Sequence, residues 1–242
     1  MSKKDINTKE IIKTLFKNYD GKFSKSLGIE LKEKKSDEIF KWFLASILYG
    51  ARIGEKIATN TYYKFEKRNV VTPEKILKTE WDGLVEILDV GGYVRYDFKT
   101  ATKLLNIMKI IQDNYDNNLN NMHEAASDFQ DLENKLIEMP GIGPTTANIF
   151  LRELRGIWEK ADPNLSSFSE KAACNLNLLK IFGKNIKQKR KNLNILKEIW
   201  NKNRKKGYSF SDFEACLVRL GKDFCRKKQI NCPLRTFCKN PC

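Results

Sequence analysis

A single histidine, His123, occurs in the whole chain, and no Ser–His–Asp set can be drawn around it. No Walker loop is present either, which removes P-loop nucleotide hydrolysis from consideration. The N-terminus, Met1-Ser2-Lys3-Lys4-Asp5, is charged and has no apolar core, so it does not read as a secretory leader. The longest apolar stretch, Trp42 to Ala51, is too short to span a bilayer, and no membrane partner is expected. No alternating apolar–polar run is long enough to argue for a sheet, and no internal repeat is found. Carboxylates are also in deficit: 30 acidic residues face 45 lysines and arginines, a formal charge of +15 over 242 residues. Such a field attracts polyanions and speeds encounter with them, although a lysine-rich proteome would leave the same mark.

What is present reads as helix nearly throughout. Phe40, Phe43, Leu44, Ile47 and Leu48 recur at helical spacing, as do Leu84, Ile87 and Leu88. Leu104, Leu105, Met108 and Ile111 follow the same rule, and so do Leu132, Leu136 and Ile137. Thr72-Pro73-Glu74 and Ser209-Phe210-Ser211 have the form of helix starts, with Thr72 and Ser209 as N-caps. Asp113 to Asn121 reads as a polar connector, which places His123 at the surface, and residues 184 to 206 read as a second exposed region. The expectation is an all-α chain.

The most informative segment is Leu136-Ile137-Glu138-Met139-Pro140-Gly141-Ile142-Gly143-Pro144-Thr145-Thr146-Ala147-Asn148. Two glycines flank one aliphatic residue, and apolar helical patterns lie on both sides, which is the form of a helix-hairpin-helix. Without a Cβ, Gly141 and Gly143 can take positive φ and let the backbone approach a ligand closely. Pro144 suits the first position of the second helix, whose N-terminus favours an anion. A plain tight turn between packed helices is the alternative. Gly141, Ile142, Gly143, Thr145 and Thr146 are therefore the candidate contacts to a DNA backbone.

This stretch resembles the helix-hairpin-helix-GPD superfamily of DNA glycosylases, the endonuclease III group, which reads L-P-G-[VI]-G-x-x-T-A and then runs to a catalytic Asp. Here Asp162 lies nineteen residues after Gly143, within Trp158-Glu159-Lys160-Ala161-Asp162-Pro163. The resemblance runs from about residue 38 to the C-terminus. It implies a helical barrel over residues 32–154, with the hairpin at about 131–155, and a second helical domain from 1–31 with 155–242. It also implies that Asp162 stabilises the positive charge left on deoxyribose, or orients the nucleophile, as an N-glycosidic bond breaks. An N-cap before Pro163 is the structural alternative for that residue.

Bifunctional members carry a lysine two residues after the second hairpin glycine, where this chain has Thr145. Threonine cannot form the imine, so the resemblance implies a monofunctional enzyme with water as nucleophile. A bifunctional glycosylase/lyase using a lysine from elsewhere, such as Lys160, and a non-catalytic DNA-binding protein on the same scaffold are the rival readings. The family's wedge turn matches Tyr49-Gly50-Ala51-Arg52-Ile53-Gly54, where Arg52 either enters the base stack, meets a phosphate or points to solvent. Ala45 stands where adenine-specific members keep a catalytic Glu. Gly91 to Lys99 resembles a second DNA-facing loop and puts forward Tyr93 and Arg95, with core packing as the alternative for Tyr93 and Phe98.

Cys225, Cys232, Cys238 and Cys242 crowd the last eighteen residues with spacing C-x6-C-x5-C-x3-C. Four thiolates on a short basic loop can hold a [4Fe–4S] cluster, and the resemblance implies one. The family's C-x6-C-x2-C-x5-C spacing is matched in its first pair by Cys225 and Cys232, with its third cysteine then falling on Arg235, or alternatively in its last pair by Cys232 and Cys238, with a deletion before it. Zinc is the alternative, weakened by the lack of a C-x2-C knuckle, and disulfides do not suit a chain without a secretory leader. Such a cluster is structural in this family, and Arg226, Lys227, Lys228 and Arg235 would meet DNA phosphates beside it. The expected partner is duplex DNA bearing a lesion or mispair, bound by a monomer in a cytoplasmic, nucleoid-associated setting.

Overall fold

The computed structural model describes the backbone of residues 3–238 and the side chains of residues 7–238. Among the described residues the chain is helical, and the only β feature is an isolated bridge between Arg155 and Trp158. No helix among them is long and apolar enough to cross a membrane. Two compact units form, one from residues 27–163 and one from residues 1–26 with 164–242. The boundaries thus lie at 26/27 and 163/164 rather than at 31/32 and 154/155. The physical reason is that residues 155–163 fold back onto the unit that contains the hairpin.

The continuous unit is built of α3 (Ser36–Tyr49), α4 (Glu55–Lys67), α5 (Pro73–Gly91), α6 (Asp97–Tyr115), α7 (Leu119–Ala125), α8 (Phe129–Ile137) and α9 (Pro144–Leu154). From Ile39 to Leu48 every residue of α3 except Lys41 is buried, so this helix is the hub on which α4, α7 and α9 pack. Trp42 ties it to α9, donating from Nε1 to the Phe150 carbonyl at 3.0 Å. Thr72 caps α5 by accepting from Lys75 N, as its Thr-Pro-Glu start predicts. The connector after α6 is shorter than Asp113–Asn121: α6 continues to Tyr115, and the chain reverses at Asp116 and Asn117, both in the left-handed region (φ 50° and 58°).

The other unit comprises α1 (Lys3–Asn18), α2 (Phe23–Ser26), α10 (Ser167–Asn175), α11 (Ile186–Lys202) and α12 (Phe210–Leu220), followed by a π turn at Gly221–Cys225. α12 is its centre. Ser209 and Asp212 form a reciprocal capping box at its start. Arg219 reaches the Gly21 carbonyl at 3.4 Å and Ser26 Oγ at 3.0 Å, which fastens the N-terminal segment to the C-terminal one. Residues 186–202 of the region read as exposed form α11 instead, because Asn192, Leu193, Leu196 and Trp200 share one buried stripe under a polar surface.

Candidate active site

The hairpin sits between α8 and α9. Met139 and Ile142 bury their side chains and pin it to the core, and Ile142 N donates to the Met139 carbonyl at 3.0 Å. Gly141 has φ +72°, so it meets the turn's demand for a left-handed residue. Gly143 does not: its φ of −101° and ψ of 173° are extended, which corrects the expectation of positive φ at both glycines. A Cβ built on Gly143 would meet nothing within 4 Å. Neither backbone strain nor internal packing therefore calls for glycine at this position. α9 has Gly143 as its N-cap residue, no side-chain cap and no acidic residue in its first turn. The N–H groups of Gly143, Thr145 and Thr146 are left for an outside acceptor, and the helix dipole makes an anion the preferred one.

This contrast gives a paired prediction. Gly143→Ala leaves the melting temperature essentially unchanged and weakens DNA binding about tenfold, the order of one charge-assisted hydrogen bond. Gly141→Ala instead costs stability, roughly 1–2 kcal/mol from the left-handed backbone alone. Thermal melts and fluorescence anisotropy with a labelled duplex read both effects. Full affinity in Gly143→Ala would show that the close approach is not used.

Asp162 lies at the end of the segment that follows α9. Its Oδ1 pairs with Arg155 Nη1, and Arg155 Nη2 donates to the Pro163 carbonyl at 2.9 Å. Arg155 is buried, whereas the Asp162 side chain remains 30% exposed, so a buried guanidinium holds a carboxylate that is partly exposed. Trp158 is 1% exposed and anchors the same segment. Its Nε1 donates to Asn120 Oδ1 at 2.9 Å, its edge meets Phe150, and its face stacks on His123 at 4.9 Å.

His123 is accordingly not the surface residue expected. Burial, and then the nearby Lys160 and Lys34, hold its imidazole below the usual pKa. A neutral ring agrees with Nε2 facing the Lys160 amide N–H at 3.4 Å. Lys160 Nζ donates to the carbonyls of His123 and Glu124 at 2.9 and 3.1 Å. That amine therefore ties the segment to α7.

The other candidates divide. Thr145 is exposed at the start of α9, whereas Thr146 and Ile142 are buried and can offer only backbone to a ligand. Thr146 packs on the predicted wedge turn: its Oγ1 lies 2.0 Å from where a Gly50 Cβ would stand. Arg52, two residues on, is exposed. Arg95 is also exposed, with its guanidinium 5.8 Å from the Tyr96 ring centroid. Tyr93 is a correction. It is 1% exposed and donates to the Leu48 carbonyl at 3.0 Å, so it is a core residue joining its loop to α3 rather than a DNA contact. The exposed ring of that loop is Phe98, paired with Trp81 at 5.2 Å.

In the other unit, Cys225, Cys232 and Cys238 line one small open pocket with Asn175, Phe224, Gln229 and Arg235, with room for about a single water. Cys242 lies outside the described residues. Among those described, no three His, Cys, Asp or Glu side chains are gathered tightly enough for a single metal ion. Tyr19 Oη is buried without a hydrogen-bond partner. Burial, chiefly, and the neighbouring Cys232, Asp223 and Cys225 raise the Tyr19 pKa. Three thiols around one pocket are the donor type that an iron–sulfur cluster uses.

No family model and no curated protein sequence matches the chain. Among solved structures it is similar to the H. pylori 3-methyladenine DNA glycosylase MagIII bound to 1,N6-ethenoadenine. The two share 16% identity and a TM-score of 0.57 over 92% of this chain and 98% of that one. It is also similar to endonuclease III in a trapped covalent intermediate with DNA, at 17% identity and a TM-score of 0.51 over 81% of this chain and 82% of that one. The chain shares the fold of these two structures.

Proposed function

We propose that the protein is a DNA repair glycosylase that hydrolyses the N-glycosidic bond of a damaged or deaminated base in duplex DNA, with water as nucleophile. One observation carries the reading: Gly143 is a glycine that the protein itself does not need, at the uncapped N-terminus of α9, in the same unit as a partly exposed, arginine-held carboxylate. An extended backbone with open space around it is what a closely approaching phosphate requires. Asp162 then supplies a fixed negative charge where the sugar becomes cationic, or directs water at it. Thr145 and the engaged Lys160 favour water over an amine nucleophile.

The test is a panel of duplexes, each with one lesion, resolved with and without alkali. Alkylated purines head the panel, since the H. pylori structure is of a 3-methyladenine glycosylase; uracil, mispaired thymine and hypoxanthine complete it. Strand breaks that need alkali are the expected result. Breaks without alkali that borohydride traps would establish a lyase, and binding with no excision of any base would leave a DNA-binding scaffold alone.

We also assign Cys225, Cys232, Cys238 and Cys242 to a [4Fe–4S] cluster, which when bound would tie the C-terminal loop as a structural element. Zinc is the alternative occupant, and the absence of a C-x2-C knuckle favours the cluster. Anaerobically purified protein is expected to carry iron and sulfide with broad visible absorbance, and Cys232→Ala to lose both. Stoichiometric zinc in their place would overturn the assignment.

A further inference from the structure

α6 passes behind the hairpin, and one of its side chains lies directly on it. A Cβ built on Gly141 would stand 2.9 Å from Lys103 Cδ and 3.4 Å from both Cγ and Cε. Three methylenes of Lys103 therefore lie across the bare face of the hairpin glycine, which explains in packing terms why that face carries no side chain. The lysine is half-buried, and its ammonium has no ion-pair or hydrogen-bond partner among the described residues. Burial, together with Lys99 one turn earlier, lowers its pKa to about 8, and no charged group of α5, α7 or the hairpin offsets this. A half-buried cation without a counter-charge is unfavourable in the free protein. The open amides of Gly143, Thr145 and Thr146 follow Gly141 by two to five residues, and an anion held on them would supply the missing counter-charge.

We propose that Lys103 is the cationic half of the hairpin's phosphate site, binding together with the backbone amides of the hairpin and the first turn of α9 a single phosphate of the DNA strand. This rests on the reading of the hairpin as a DNA-binding element. The amides supply direction and the ammonium supplies charge, a division that hydrogen-bond donors fixed on a turn cannot achieve alone. Contact with a phosphate carries no base information, so the contribution is uniform across sequences.

Lys103→Met keeps an apolar stem over Gly141 and removes the charge. Duplex binding measured from low to moderate salt is expected to show a log–log slope shallower by about one than that of the wild-type protein, whatever the sequence. Thermal stability is not expected to fall, because the removed ammonium had no partner. In wild-type protein with 13C-methylated lysines, which keep their charge, the resonance lost in Lys103→Met should titrate near 8 alone and at higher pH with saturating duplex. Lys103→Arg, which keeps both stem and charge, loses the same resonance, so the assignment does not depend on Lys103→Met folding. A slope and a titration unmoved by DNA, in a protein that still binds duplex, would overturn the role of Lys103 and leave the hairpin reading intact. A wild-type protein without salt-dependent duplex binding would overturn that reading and this proposal together.

Discussion

Asp162→Asn is expected to slow base excision by about 10²–10³-fold in single-turnover assays while leaving duplex affinity nearly unchanged. The size follows from what the substitution removes: a negative charge placed where the transition state becomes positive, at nearly constant shape. Affinity is spared because the phosphate site of the hairpin does not include Asp162. The effect on folding is the point to control. Breaking a wholly buried ion pair costs about 3–5 kcal/mol, because one charge is left alone in a poor solvent. Asp162 is 30% exposed, and asparagine retains a carbonyl oxygen for Arg155, so the destabilisation should be well below that figure. A melt performed beside the kinetics separates the two effects. A folded Asp162→Asn protein that excises its best substrate at the wild-type rate would remove Asp162 from the chemistry.

The contrast between Asp162 and its surroundings shows which parts of the site a sequence makes legible. Gly141, Gly143 and Pro144 are readable because a tight turn is a local object, set by a few adjacent residues. The helices are readable for the same reason, since Phe40 to Leu48 repeat at the helical period and prove to be the hub of their unit. Arg155, by contrast, carries no local mark. It becomes the partner of Asp162 only because the segment between them closes into a loop, with Arg155 bridging to Trp158 on the way. Tyr93 misleads in the opposite direction. An aromatic beside Arg95 suggests a base contact, but its position relative to α3 buries it, and burial is a long-range property. Lys103 is the extreme case. Its helical position is obvious, yet that its stem covers Gly141 depends on how α6 crosses a hairpin nearly forty residues later in the chain. The glycine pair divides along the same line: both allow positive φ, and only the fold decides that Gly141 uses it.

Trp158→Ala should produce the largest loss of stability of any single change near the site, about 3–5 kcal/mol, together with a loss of excision. Three contacts account for it. The indole fills the space between Phe150 on α9 and His123 on α7, and its N–H is bonded to Asn120. Removing it opens a cavity at the base of the segment that carries Asp162. Arg155 and Lys160 would still hold that segment, but Lys160 grips the carbonyls of His123 and Glu124, on the same short helix that loses its stacking partner. The carboxylate therefore loses its fixed position as well as its support. Trp158→Phe separates the ring contacts from the hydrogen bond. Phenylalanine keeps a ring between Phe150 and His123 but forfeits the bond to Asn120, whose half-exposed side chain can turn to water, and part of the indole's buried volume, at a cost of roughly 1–3 kcal/mol. Excision should then fall in the order wild type, Trp158→Phe, Trp158→Ala, and the melting temperatures should follow the same order. If Trp158→Ala were destabilised as expected yet excised at the wild-type rate at a temperature where it is folded, Asp162 would be positioned by Arg155 alone.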